Sequence, residues 1–484
     1  MHVGIVGGGI SGLYSAILLR RQGHQVTVYE ANDRLGGRIY THHFPSRSRH
    51  QESFFEAGAM RIPRSSLHAS FYELIRYLNT NGAPEDKIEL IPYILEDENN
   101  FSFLYGQKVA SGEKNLAARL GLPPEYQGRS SKELLGEVVR PWLNMLRQDF
   151  DAGFQRVLQY DEFSFRAYLR VVARWPDEVI EFVELMNSQT NQYDLSFTEI
   201  ILQNLDFETA KWVTVRNGMS RVIQSAAKLV GHHNIRRNSP VVRITNLPGG
   251  RILLATSGPI PSSAEYEKVI LAIPPAALHQ ILERPAWSFM KEQSIRGMHY
   301  EPLYKIGLHF RTRFWERSLR PSFGGQSMTD LRFRWIVYPS NDIGSDGPGV
   351  LLLYCWMTDA LRLSSIPREE RISMALYDLN KFFKGDGEGV NVYEQFIEAF
   401  DVAWSQESCT GDAQFLPGQF SRFHQVSKLR EGNIHFAGEH LSRHHTWITG
   451  AIDSALSTVR DMLGLKELPA LGRESKYPSK MLEG

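Results

Sequence analysis

His2-Val3-Gly4-Ile5-Val6-Gly7-Gly8-Gly9-Ile10-Ser11-Gly12 opens the chain, and its reading decides the fold. A short apolar run at 3–6 meets three glycines, and residues 11–21 then carry Leu13, Ala16, Ile17 and Leu19 at helical spacing. Residues 25–29 form a second short β-rich run that leads into Glu30. The order is strand, glycine turn, helix, strand: one βαβ unit with G-x-G-x-x-G at Gly7, Gly9 and Gly12. Gly7 permits a tight turn, Gly9 lets backbone approach a pyrophosphate, and Gly12 lets helix and strand pack closely. Ser11 stands at the helix start, where amide donors and a partial positive charge suit an anion. Glu30 is placed to accept hydrogen bonds from ribose hydroxyls, and its charge repels a 2′-phosphate, which disfavours NADP. The motif alone leaves FAD and NAD both open.

Outward from this unit, 484 residues with 42% hydrophobic content allow a sizeable core and more than one domain. Lys+Arg and Asp+Glu are 54 each, so the formal net charge of zero argues against a nucleic-acid partner. The two cysteines, Cys355 and Cys409, are too few for a disulfide framework and form no C-x-x-C, although one bridge between them stays open. No charged leader with an apolar run precedes the first strand, and the longest apolar stretches, such as 349–357, fall far short of a membrane span. A cytoplasmic protein with no membrane partner is expected, with secretion still open.

Residues 116–214 are rich in helix formers, with amphipathic stretches at 131–146 and 177–186. Short strands return at 241–244, 251–255 and 269–273. Longer ones are predicted at 303–310, 333–338 and 350–356, and 434–462 reads as strand, turn and long helix. The pattern predicts a discontinuous nucleotide domain (1–65, 215–297 and 425–465) with two insertions, one of strands (66–115 and 298–424) and one helical domain (116–214), followed by a loose polar tail (466–484).

Glu30-Ala31-Asn32-Asp33-Arg34-Leu35-Gly36-Gly37-Arg38 resembles the E-A-x-x-R-x-G-G-R stretch of the flavin amine oxidase family. There the glycine pair and the arginine meet the FAD diphosphate, a role suited to Arg38 because guanidinium grips phosphate bidentately. Gly58-Ala59-Met60-Arg61 looks like the G-x-M-R segment of the family's L-amino acid oxidase branch. In that branch backbone lies against the flavin and the arginine binds the substrate carboxylate, whose geometry a planar fork matches. The resemblance implies an α/β fold: a Rossmann-like FAD-binding domain of the GR2 type, a mixed-sheet substrate domain, which would be the substrate-binding domain at 66–115 and 298–424, and a helical insertion.

The likeness continues along the chain. Pro240-Val241 is similar to the segment whose valine backbone meets adenine, and 269–275 is similar to the strand that ends the middle piece of the nucleotide domain. Lys305 lies where the family keeps a lysine that holds a water near flavin N5. Alternation puts Lys305, Gly307 and His309 on one strand face. Tyr354 aligns with the carboxylate-binding tyrosine, and Trp356 points the same way. Gly438-Glu439 and His445-Thr446-Trp447-Ile448-Thr449-Gly450-Ala451 resemble the closing FAD motif, with Trp447 beside the isoalloxazine and helix-start amides at flavin N1–C2=O. His440 and His444 have i,i+4 spacing, but no third ligand of convincing spacing appears and no metal is expected. Two departures stand out. Asn217-Gly218 replaces paired glycines near Trp212, and the pocket histidine of some members has no clear counterpart.

The resemblance implies oxidation of L-amino acids with dioxygen to 2-oxo acids, ammonia and hydrogen peroxide, by a homodimer. Arg61, Tyr354 and Lys305 are the catalytic candidates. Trp356, Thr446 and Trp447 join Arg61 and Tyr354 as substrate contacts, and the aromatic candidates suggest apolar or aromatic substrate side chains. An amino-acid monooxygenase forming an amide and a polyamine or monoamine oxidase remain alternatives.

Overall fold

The computed structural model describes residues 1–45, 53–110, 113–208, 211–318, 320–384, 390–407, 410–468 and 470–471. Its first sheet has five parallel strands. From edge to edge these are Ile235–Arg236, Gln25–Tyr29, His2–Val6, Lys268–Leu271 and Ile434–Phe436. Strands drawn from the start, middle and end of the chain thus lie side by side. The helix Ile10–Arg21 is buried continuously from Ile10 to Leu19, because the sheet covers one side and the helices Ser220–Val230 and Ile448–Leu463 cover the other. That is why its sequence is apolar nearly all round rather than striped. An α/β, Rossmann-like layer results.

A second five-stranded sheet runs Gln326–Met328, Trp335–Val337, Gly349–Trp356, Leu303–Phe310 and Phe396–Ala403, with antiparallel pairing throughout. One parallel bridge, Phe103 to Thr329, joins the hairpin Phe101–Leu104/Gln107–Ala110 to its edge. The strand at 333–338 is shorter than its apolar run suggests. All eight residues of Leu303–Phe310 are buried, including the Lys305 face. The segment around Phe55 covers that face, and a Cβ at Gly307 would stand 2.3 Å from the Phe55 ring. A helical layer with its own core, including Ser131–Gln148, Asp177–Asn187 and Phe197–Asp206, completes the molecule.

The start of the expected loose tail is docked. Leu468, Ala470 and Leu471 are buried, and the Leu471 amide donates to the Tyr14 hydroxyl at 3.1 Å. The polar composition of 466–484 hid these anchors, and 472–484 lie outside the described residues. Cys355 is buried and free, while Cys409 also lies outside the described residues. Among the described residues no helix is long and apolar enough to cross a membrane.

Candidate active site

A cavity of about 910 Å³ runs from the glycine turn to the helical layer. Gly7, Gly9, Ser11, Glu30, Ala31, Arg38 and Val241 line one part of it; Gly58, Ala59, Met60, Gly438, Glu439, Ile448 and Ala451 line its middle. Gly12 is off the wall. Its role is packing, since a Cβ there would stand 2.0 Å from the Gly7 carbonyl oxygen. Gly7 has φ +108° and a Cβ would stand 2.4 Å from the Ala272 carbonyl oxygen, whereas a Cβ on Gly9 would meet only the Gly36 carbonyl oxygen, at 3.9 Å. Gly9 therefore keeps open space at the start of a helix, where amides await an anion. The buried Ser11 hydroxyl has no partner among the described residues. Glu30 accepts from the Gly8 amide at 2.9 Å and from Asn32, which fixes its carboxylate at the cavity edge. An open glycine cradle, an orphaned hydroxyl and an anchored acid together fit a dinucleotide.

Arg38 and Glu439 form a pair at 2.7 Å. Burial alone would raise the Glu439 pKa, but Arg38, His445 and His440 overrule it and hold the carboxyl below its usual range. Glu439 also accepts from the Thr446 amide at 3.1 Å. That bond holds Thr446 at φ +70°, a costly conformation for a β-branched residue. The helix Ile448–Leu463 starts directly after Trp447 and presents its first amides to the cavity.

Lys305, Arg61, Tyr354, Trp356, Thr446 and Trp447 line the same cavity. Lys305 and Tyr354 are directly paired across neighbouring strands, with Nζ 4.6 Å from the tyrosine ring centre. Nζ donates to the carbonyl oxygens of Gly58 and Glu56 at 2.6 and 3.3 Å. Burial, and then the Arg61 charge, bring the lysine down to about 7, against the pull of Asp412 and Glu56. Tyr354 is pushed well above its usual value by burial and by Asp412, so its hydroxyl stays a donor.

Arg61 is 8% exposed and donates to the Tyr93 hydroxyl at 3.3 Å. The rings of Tyr93, Phe207 and Trp212 lie 5.5–5.7 Å from its guanidinium carbon. Aromatic faces partly offset a buried cation. Among the described residues no carboxylate lies within ion-pair distance of Arg61, leaving the fork free for an anion. Trp447 packs edge-on against His68 at 5.0 Å, and His68 bridges Asp206 and Thr449 at 3.0 and 2.9 Å. This network ties the helical layer to the Trp447 wall.

Sequence reasoning missed Tyr93, Phe207, His68, Trp404 and Asp412. Trp404 donates from its indole to the Ala57 carbonyl oxygen at 2.8 Å, which fixes the Gly58–Arg61 backbone. Asp412 is a carboxyl in the cavity wall, raised to about 6 by burial and Glu439 against Arg38 and Lys305. No motif marked these residues, which come from a strand end (Tyr93), a 3₁₀ turn (His68), helix ends (Phe207 and Trp404) and a loop (Asp412). Asn217 adopts φ +60° before Gly218 at φ +100°, so asparagine performs the left-handed turn that paired glycines would. His440 sits in a single 3₁₀ turn, Glu439–Leu441, so its helical spacing to His444 has no helix behind it. Among the described residues no group of three His, Cys, Asp or Glu could hold a metal.

Comparison with known proteins agrees with this geometry. The profile of the flavin containing amine oxidoreductases matches residues 10–463. A provisionally named bifunctional amine oxidase of Dictyostelium discoideum is 31% identical over 97% of the chain, which spans about half (47%) of that relative. An L-amino-acid oxidase of Siganus canaliculatus is 30% identical over 97% of the chain and 88% of its own length. One from Vipera ammodytes ammodytes is 28% identical over 95% and 92%. Among solved structures, a putrescine oxidase variant superposes with a TM-score of 0.74 at 20% identity, covering 96% of this chain and 98% of its own. Cyclohexylamine oxidase from Brevibacterium oxydans gives 0.72 at 19%, covering 96% and 98%. The fold is shared with these oxidases, FAD is the cofactor that the cradle accommodates, and the chain belongs to the family of flavin-containing amine oxidoreductases.

Proposed function

We propose that the chain carries out FAD-dependent oxidative deamination of L-amino acids to 2-oxo acids, with ammonia and hydrogen peroxide as the other products. The observation that carries this reading is Arg61: a buried cation without a carboxylate among the described residues, sharing a cavity with Lys305, Tyr354 and Trp447. A charge removed from water calls for a counter-charge, and a substrate carboxylate supplies one in matching geometry. FAD, when bound, supplies the two-electron acceptor and the route to dioxygen.

The protein's own groups bind and orient. Arg61 takes the carboxylate with two parallel N–H donors, and the Tyr354 hydroxyl donates a further bond. Two fixed points leave the substrate Cα–H one direction to face, which is a proximity effect. Trp447 and Trp356 bound the space beside it and exclude water. Lys305, near 7, exchanges a proton at Nζ with a water at its side and so serves proton movement at neutral pH. The amine must be uncharged before its C–H bond breaks, and a neighbouring cation at Arg61 favours that deprotonation.

A peroxide-release screen across the twenty L-amino acids, their D-forms and simple amines tests the reading. Turnover of L-forms with an equivalent of 2-oxo acid is expected. Turnover of plain amines alone would overturn it, and an amide product would indicate the monooxygenase outcome instead.

A further inference from the structure

We propose that Asp412 reads a cationic group at the end of the substrate side chain, so that the pocket takes L-amino acids such as lysine, ornithine or arginine. This rests on the reading that Arg61 holds the α-carboxylate, and it replaces the expectation of an apolar side chain.

Residues 412–414 pair antiparallel with 299–301. The Glu301 amide donates to the Asp412 carbonyl oxygen at 2.9 Å, the Gln414 amide donates to that of His299 at 3.3 Å, and Tyr300 bridges Ala413. Directly opposed residues share a face of such a ladder, so Asp412 and Gln414 lie on the face of Glu301 and His299. Asp412 and Gln414 both line the cavity.

This face is short of donors. No side chain among the described residues donates to Asp412. The Gln414 amide oxygen is buried without a partner, and so are both carboxyl oxygens of Glu301, a residue with no solvent exposure. The nearby cations are engaged elsewhere: Lys305 with the Gly58 and Glu56 carbonyls, Arg38 with Glu439 and the Gly411 carbonyl. The His299 Nδ1–H donates to the Gln414 carbonyl oxygen at 2.6 Å, and burial lowers the pKa of the ring. Burial, and then the Asp412 charge, push Glu301 well above the usual carboxylate range. Of the two carboxyls, Asp412 is the one on the cavity wall. Carboxyl and amide oxygens left without a hydrogen-bond partner among the described residues fit a group rich in N–H bonds. An ammonium brings three and a guanidinium five. The rings of Tyr354 and Trp356, 5.0 Å apart at the same cavity wall, suit the methylenes between the two charged ends.

Three substrates separate the two charges. L-Norleucine is L-lysine without the side-chain ammonium, and cadaverine is L-lysine without the carboxylate. In the flavin-loaded enzyme, kcat/KM for L-lysine should exceed that for L-norleucine by about 100-fold, the scale on which a buried charge partner is felt. Asp412→Asn should bring that ratio to within about threefold, and Asp412→Glu should retain a lysine preference. Bound-flavin absorbance reports that each variant is folded. Equal use of lysine and norleucine by the natural enzyme would overturn the proposal, as would an Asp412→Asn variant that lowers both alike. Cadaverine turned over as well as L-lysine would instead sink the carboxylate reading, while the lysine-to-norleucine ratio still reports on Asp412.

Discussion

Lys305→Met is the perturbation with the most to reveal, because a buried lysine leaves a signature in stability as well as in rate. Its pKa falls from 10.5 to about 7, mainly through burial. At about 1.36 kcal/mol per tenfold, the ammonium form is disfavoured in the folded protein by on the order of 5 kcal/mol. Between pH 7 and 10.5 the unfolded chain holds a proton that the folded chain lacks, so this group makes stability rise with pH across that window. Below pH 7 the penalty is fully present. Methionine has similar length and no charge, so it removes the penalty. It also strips the Gly58 and Glu56 carbonyl oxygens of their donor, a loss of about 1–3 kcal/mol. The variant should therefore be more stable than the natural protein at pH 6, by roughly 2–4 kcal/mol, and less stable at pH 10.5, by about 1–3 kcal/mol. Denaturant unfolding of the flavin-loaded protein at both pH values reads the crossover. The rate of flavin bleaching by substrate should fall as well, and its pH profile should lose a limb near 7. A stability difference that does not change between pH 6 and 10.5 would refute the reasoning, because it would mean that Lys305 is not forced toward its neutral form.

Three further perturbations address the anion site, the cofactor cradle and the tail. Arg61→Leu should lower kcat/KM for L-amino acids by about 30- to 1000-fold in steady-state peroxide assays, as loss of a buried charge partner does, and unchanged kinetics would remove its carboxylate role. Gly12→Ala puts a methyl 2.0 Å from the Gly7 carbonyl oxygen, so the purified variant should lack visible flavin absorbance; a fully yellow protein would contradict that close approach. Truncation after Glu467 removes Leu468 and Leu471 from the core. It should cost about 2–5 kcal/mol, seen as a lower thermal midpoint, and an unaltered midpoint would show that the docked tail contributes nothing.

What the sequence discloses and what it hides differ for a physical reason. A glycine turn, a capped helix or a strand of alternating side chains is a local object, and its residues bear the mark. Leu303–Phe310 is legible to the residue, and so is the cradle at Gly7 and Gly9. Alternation says only that Lys305 has a face. It cannot say that the Phe55 segment, far away in the chain, seals it. Asp412 is more hidden still, because it lies in a short irregular segment with no period, and its meaning comes from the backbone ladder with 299–301. The tail deceived in the opposite sense, because a polar composition masked two leucines that dock. Charge is where this gap bears on function. The sequence counts 54 positive and 54 negative side chains and sums them to zero, but the sum says nothing of pairing. Folding pairs many of them, as Arg38 with Glu439 and Arg313 with Glu316. Arg61 and Asp412 line the cavity without an ion partner among the described residues, one positive and one negative. Under the proposed reading, the ligand that answers both carries an anion and a cation on one short chain.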